Sequence, residues 1–120
     1  MEESVLYVFG IEGVRSSEVH DIRFVQKEIN VVRTEKGFKR DGTCWYIPSY
    51  RVDSLRGDYG LDYNGGSFYF TSPDSPLKEE AKRLMYEYWL NELKRQISNL
   101  QKKVDDLKSA YSTEGGTDVI

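Results

Sequence analysis

Along the last third of the chain the apolar positions keep a single period. Tyr86, Leu90, Leu93, Ile97, Leu100, Val104, Leu107 and Tyr111 follow one another at spacings that alternate between four and three. That is the heptad seam of a coiled coil rather than one face of a globular helix. The start of the helix is written into Thr71-Ser72-Pro73-Asp74-Ser75-Pro76: Ser75 can accept a bond from a free amide, and Pro76 suits the first helical position. Glu79 and Glu80 then complement the positive end of the helix dipole, and Lys102, Lys103 and Lys108 its negative end. From Pro76 to Tyr111 such a helix is roughly 54 Å long. A small domain is narrower, so the helix is expected to extend past its own β half or to lie against a second copy.

The seam also bears on how copies would pair. Leu90, Ile97 and Val104 at one core position, with Leu93, Leu100 and Leu107 at the other, favour two parallel strands. The flanking residues Trp89, Lys94, Gln96, Gln101, Lys103 and Lys108 point the other way, because a parallel pair sets Lys103 opposite Lys108 with no acid nearby. An antiparallel pair or a four-helix arrangement avoids that repulsion. Ahead of the seam, Ala81, Leu84, Met85, Tyr88 and Trp89 widen the apolar stripe beyond a two-stranded interface, which leaves open that the first half folds back onto its own sheet.

The first 71 residues read as short strands. Ser4 to Phe9 is β-branched and aromatic, with a turn expected at Gly10-Ile11-Glu12-Gly13; Val19–Phe24 and Lys27–Thr34 follow, then a Lys36-Gly37 turn. Thr43–Ile47 and Tyr50–Leu55 are two more runs, separated by Pro48-Ser49, where proline closes a strand. Leu61-Asp62-Tyr63 and Ser67–Phe70 flank Asn64-Gly65-Gly66, a hairpin signal because Asn and Gly tolerate positive φ. The expectation is an α+β chain: five to seven antiparallel strands in a small sheet or open barrel (residues 1–74), one long C-terminal coiled-coil helix (75–111) and a flexible tail (112–120).

Composition adds bounds rather than a function. The 120 residues are 38% hydrophobic and 31% charged, ordinary for one soluble domain. The apolar run Val5–Phe9 is too short for a signal peptide or a membrane span, and Cys44 is the only cysteine, which together predict a cytoplasmic chain. Charge is uneven. Residues 1–32 hold three basic and six acidic groups, residues 33–56 six basic and three acidic, and residues 57–74 three acidic alone. A local positive surplus on a chain of net charge −3 disfavours binding along a long nucleic acid, which needs an extended basic footprint, and leaves room for one small anion.

No phosphate-binding loop, dinucleotide glycine fingerprint or nucleophile elbow occurs in the sequence. His20 beside Asp21 reads as an exposed strand residue, and Cys44 before Trp45 as a buried structural thiol. No metal or other cofactor is expected. What stands out is arginine interleaved with aromatics: Arg33, Arg40, Arg51 and Arg56 for phosphate, with Trp45, Tyr50 and Tyr63 as stacking faces. A guanidinium fork takes two phosphate oxygens, and an aromatic face stacks on any base. Arg51 and Arg56 are the leading pair because Tyr50 and Tyr59 lie close by in sequence. Roughly half of the aromatics in this region are expected to serve the core instead.

A compact β half that ends in Phe68-Tyr69-Phe70-Thr71-Ser72, enters an acidic-capped helix at Glu79, Glu80 and Ala81, and continues as a coiled coil resembles small phage-encoded nucleotide sponges of the anti-CBASS and anti-Thoeris type. The resemblance spans the whole chain as layout and matches no ligand motif residue by residue. It implies a non-catalytic homo-oligomer, dimer or tetramer, that sequesters cyclic dinucleotides or cyclic ADP-ribose signals in a host cytoplasm. The competing expectation is a protein-interaction module or inhibitor whose coiled coil sets valency, since aromatic and arginine enrichment equally marks protein hot spots.

Overall fold

The computed structural model describes residues 2–16, 18, 21–56 and 66–114. Five strands, β1 (Glu2–Glu12), β2 (Arg23–Arg33), β3 (Gly37–Lys39), β4 (Tyr46–Pro48) and β5 (Phe68–Phe70), precede one helix, α1 (Lys78–Glu114). They form an antiparallel, curled half-barrel sheet in the order β4-β3-β2-β1-β5. The α+β layout expected from the sequence is therefore the observed one.

β1 and β2 form the backbone of the sheet, pairing over their full length from Glu2 opposite Arg33 to Glu12 opposite Arg23. This corrects two expectations. The strand does not turn at Gly10 but runs on through Ile11 and Glu12, and the separate runs Val19–Phe24 and Lys27–Thr34 contribute to one strand. The reason is cooperative: each added ladder pair satisfies backbone groups that a break at Gln26 would leave open. The run Tyr50–Leu55 is likewise not a strand. A 3-10 turn occupies Ser49–Arg51, followed by a single parallel bridge from Val52 to Tyr69. Thr43–Ile47 pairs only from Tyr46 onward.

Strand alternation divides the apolar residues between two faces. Phe68 lies opposite Phe9 and Phe70 opposite Tyr7, so Phe9, Phe68 and Phe70 share one face. Ala81 and Met85 of α1 cover it and are themselves fully buried, with Ile11, Phe24, Leu55, Leu77 and Leu84 packed around them. Leu6, Val31, Phe38 and Ile47 form the core on the other face, bordered by Ile29, Trp45, Val52 and Tyr69. At about 1.5–3 kcal/mol for each large apolar side chain fully buried, the two clusters give each face of the sheet its own apolar core.

α1 begins two residues later than Pro76 predicts. Ser75 Oγ accepts from the Leu77 amide at 3.2 Å, and the Ala81 amide reaches Leu77 O at 2.9 Å, so residues 75–77 form the turn that feeds the helix. It ends at Glu114, three residues into the stretch assigned to a tail. The chain forms two compact units, Met1–Trp89 and Leu90–Ile120. Within the first, about three turns of α1 belong to the sheet's core. Within the second, Ile97, Leu100, Val104, Leu107 and Tyr111 are all exposed, Leu107 by 72%. No helix among the described residues is long and apolar enough to cross a membrane.

Candidate functional site

The basic segment is positioned by three local devices, beginning with the turn between β3 and β4. Thr43 staples it: its Oγ1 donates to Arg40 O at 2.8 Å and accepts from the Trp45 amide at 3.2 Å. Arg40 N then reaches Trp45 O at 3.3 Å. Arg40 and Trp45, five apart in sequence, thus flank one tight turn. Cys44 lies in that turn and is exposed, which corrects the expectation of a buried thiol: the turn lifts it out of the strand that a buried position would need.

Asp53 supplies the second device. Its backbone adopts φ 53°, a left-handed conformation that Asp tolerates better than most residues. Its amide donates to Tyr69 O at 2.9 Å, and its carboxylate accepts from the Thr71 amide at 2.9 Å and the Thr71 hydroxyl at 2.6 Å. This clamp holds the segment after β4 against β5 and brings Arg51 over the ring of Tyr69, with Cζ 5.8 Å from the ring centre. Trp45 meets the same Tyr69 edge-on at 6.1 Å. The third device is short: the Arg56 amide donates to Ser54 Oγ at 3.0 Å, and the Arg56 guanidinium lies 5.6 Å above Tyr50.

The predicted residues are therefore grouped in pairs rather than gathered around one pocket. Arg51 joins Trp45 through Tyr69, Arg56 joins Tyr50, and Arg33 lies 5.7 Å from the ring centre of Phe38. Tyr63, together with Tyr59, His20 and the Asn64-Gly65 part of the expected hairpin, lies outside the described residues. Tyr69 was missing from the predicted site and is its hub. Its signal was available in part, because alternation along Phe68-Tyr69-Phe70 places Tyr69 on the face opposite its two phenylalanine neighbours.

Charge distinguishes these arginines from those of the helix. Arg83 is held by Glu80 and by Glu87 at 2.7 Å, and Arg95 by Glu92. Hydrogen bonds from Arg83 and Arg95 hold the Glu80 and Glu92 carboxyls below the usual glutamate range. Among the described residues no carboxylate pairs with Arg33, Arg40 or Arg56. A guanidinium near a ring and without a carboxylate partner keeps N–H groups for an anion, and an exposed ring edge or face remains open to a second planar group. Tyr50, 52% exposed, provides such a surface, whereas Trp45 and Tyr69 also pack against the core.

Two hollows lie elsewhere and have another character. One of about 490 Å³ is bordered by Glu3 and Asp41 beside Asn30 and Val31, and one of about 500 Å³ by Glu12, Asp21 and Arg23. Carboxylates on their rims suit an anion poorly. Among the described residues no group of three His, Cys, Asp or Glu side chains could hold a metal ion. No protein-family model, curated protein or solved structure matches this chain.

Proposed function

We propose that the chain is a non-catalytic, self-assembling binding protein that holds a small anionic nucleotide on the arginine–aromatic surface of its β half. The observation that carries this reading is the set of three guanidinium groups laid over aromatic rings, at Arg33, Arg51 and Arg56. Two of these, Arg33 and Arg56, have no carboxylate partner among the described residues. One charged fork and one exposed ring, as at Arg56 and Tyr50, match one phosphate and one base, whereas Phe38 is buried and Arg33 offers its charge alone. The exposed seam of the second unit supports self-assembly, which would repeat the surface in each copy.

Titration calorimetry with a panel of cyclic dinucleotides and cyclic ADP-ribose isomers tests the reading. A member of the panel is expected to bind, to weaken about a hundredfold or more in Arg56→Ala, and to be recovered chemically intact after denaturation of the protein. Unchanged affinity in both Arg51→Ala and Arg56→Ala rejects this surface as the site, and absence of binding across the panel rejects the nucleotide. The protein-interaction reading then takes its place, favoured by the exposure of Tyr46 and of Tyr50, the latter under Arg56, since exposed aromatics and arginine are common at protein hot spots.

A further inference from the structure

The second unit presents an apolar stripe that is half-buried at Leu90 and Leu93 and exposed at Ile97, Leu100, Val104, Leu107 and Tyr111, and its charges select what covers it. Outer positions of the helix pair within the chain, Arg95 with Glu92 and Lys102 with Asp106 at 2.9 Å, and Gln101 at the edge of the stripe donates to Asp105 at 3.0 Å. The positions that flank the stripe carry Lys94, Gln96, Gln101, Lys103 and Lys108 and no acid. Among the described residues none of these lysines has a carboxylate partner.

A second copy can meet this stripe in two ways. In a parallel pair each Lys103 faces the partner's Lys108, and the contact occurs twice by symmetry, a like-charge arrangement that opposes association. In an antiparallel pair whose twofold axis passes between Ile97 and Leu100, the seam is self-complementary. Ile97 meets the partner's Leu100, Leu93 meets the partner's Val104, and Leu90 meets the partner's Leu107. Every apolar position from Leu90 to Leu107 then has an apolar counterpart. The flanks become Lys94 against the partner's Gln101 and Gln96 against the partner's Lys103, so Lys94 and Lys103 each lie beside a neutral amide that can accept from them. The helix dipoles also run in opposition.

We propose that two copies of the chain associate antiparallel through residues 90–107 in this register. The inference deepens the self-assembly part of the proposed function and is independent of the ligand. It commits to a second copy because the stripe meets itself apolar position by apolar position, with Lys103 and Lys108 kept apart, under a twofold operation, the symmetry of most homodimers.

Cysteine cross-linking tests orientation and register together. In a Cys44→Ser background, needed because Cys44 is exposed, Leu93→Cys and Val104→Cys chains are purified separately, mixed and oxidised in a glutathione buffer. The antiparallel register brings residue 93 of one copy onto residue 104 of the other and keeps the two copies of residue 93 roughly 16 Å apart along the helix. That is too far for a disulfide, which needs Cα atoms about 4.4–6.8 Å apart. The expected result is a mixed disulfide by intact mass, abundant in the mixture and absent from either chain oxidised alone. Efficient linkage within each variant alone means parallel pairing and overturns the proposal, while leaving self-assembly in place. An assembly that forms no link in any mixture overturns the register. Light scattering that finds the reduced variants and the unaltered chain monomeric at micromolar concentrations overturns both the pairing and the self-assembly. A larger assembly that gives only the mixed disulfide retains the antiparallel contact and overturns the two-copy stoichiometry.

Discussion

At the scale of single residues, Asp53 does more than its exposure suggests. It combines a left-handed backbone with two bonds from Thr71 and one to Tyr69 O, and so decides where Arg51 and Tyr69 meet. Asp53→Ala removes both carboxylate bonds and leaves a β-carbon at positive φ; about 2 kcal/mol of stability should be lost. Asp53→Gly loses the same bonds but adopts the backbone freely, and about 1 kcal/mol is expected. Urea unfolding that ranks the two variants in the reverse order would refute this account. Glu12 gives a pH dependence. A hydrogen bond from Lys27 at 2.9 Å, then the charges of Lys27 and Arg23, hold its carboxyl below the usual glutamate range, as Arg83 and Arg95 do for Glu80 and Glu92. A carboxyl whose pKa is lower folded than unfolded contributes stability that is fully present above the unfolded value and is lost as pH falls through the folded one. Stability should therefore decline on acidification below the ordinary glutamate range, and Glu12→Gln should flatten that slope; the partners are exposed, so the slope is shallow. Urea midpoints measured across that range for both proteins check it.

At the scale of elements, α1 is one helix with two kinds of surface. Ala81 and Met85 are fully buried among Phe9, Phe68 and Phe70, and the Lys78 and Lys82 ammonium groups lie 5.2 Å and 5.3 Å over the rings of Phe9 and Phe24. From Ile97 onward the same helix buries nothing in a single chain. Substitutions in the two parts should thus report on different equilibria. Met85→Ala leaves a cavity in the β half and should cost about 2–4 kcal/mol at any protein concentration. Leu107→Ala should leave the unfolding of the β half unchanged and weaken association instead. A chemical denaturation series at several protein concentrations separates the two, and a Leu107→Ala cost that is independent of concentration would contradict the assignment.

For the whole molecule, the proposed self-assembly would link association to folding. A helix of this kind without tertiary contacts is marginal in water, so residues 90–114 should draw much of their helicity from the partner. Dilution is then expected to lower the far-UV helical signal while near-UV signals from the aromatic residues of the β half persist, with a midpoint that follows mass action. A helical signal constant from the highest to the lowest measurable concentration, in a protein shown to be monomeric, would mean that the second unit holds itself.

The sequence alone was sufficient for what repeats locally. The four-three spacing of Tyr86 to Tyr111, the acidic first turn and the β-branched runs determined one long helix after a small antiparallel sheet, because periodicity and capping are properties of neighbours in the chain. The concentration of Arg33, Arg40, Arg51 and Arg56 beside aromatics was legible for the same reason. Contacts that join distant residues were decided only by the tertiary structure. Gly10 reads as a turn until eleven pairs across β1 and β2 carry the strand through it. Tyr50–Leu55 reads as a strand until Asp53, tied to Thr71 eighteen residues away, bends it onto β5. The hub role of Tyr69 needed three segments brought together, and the division of α1 between core and exposed seam needed the sheet that covers its first turns. Local spacing encodes which face of a segment is apolar, whereas what that face meets depends on loop closures and ladder registers that no single window of sequence contains.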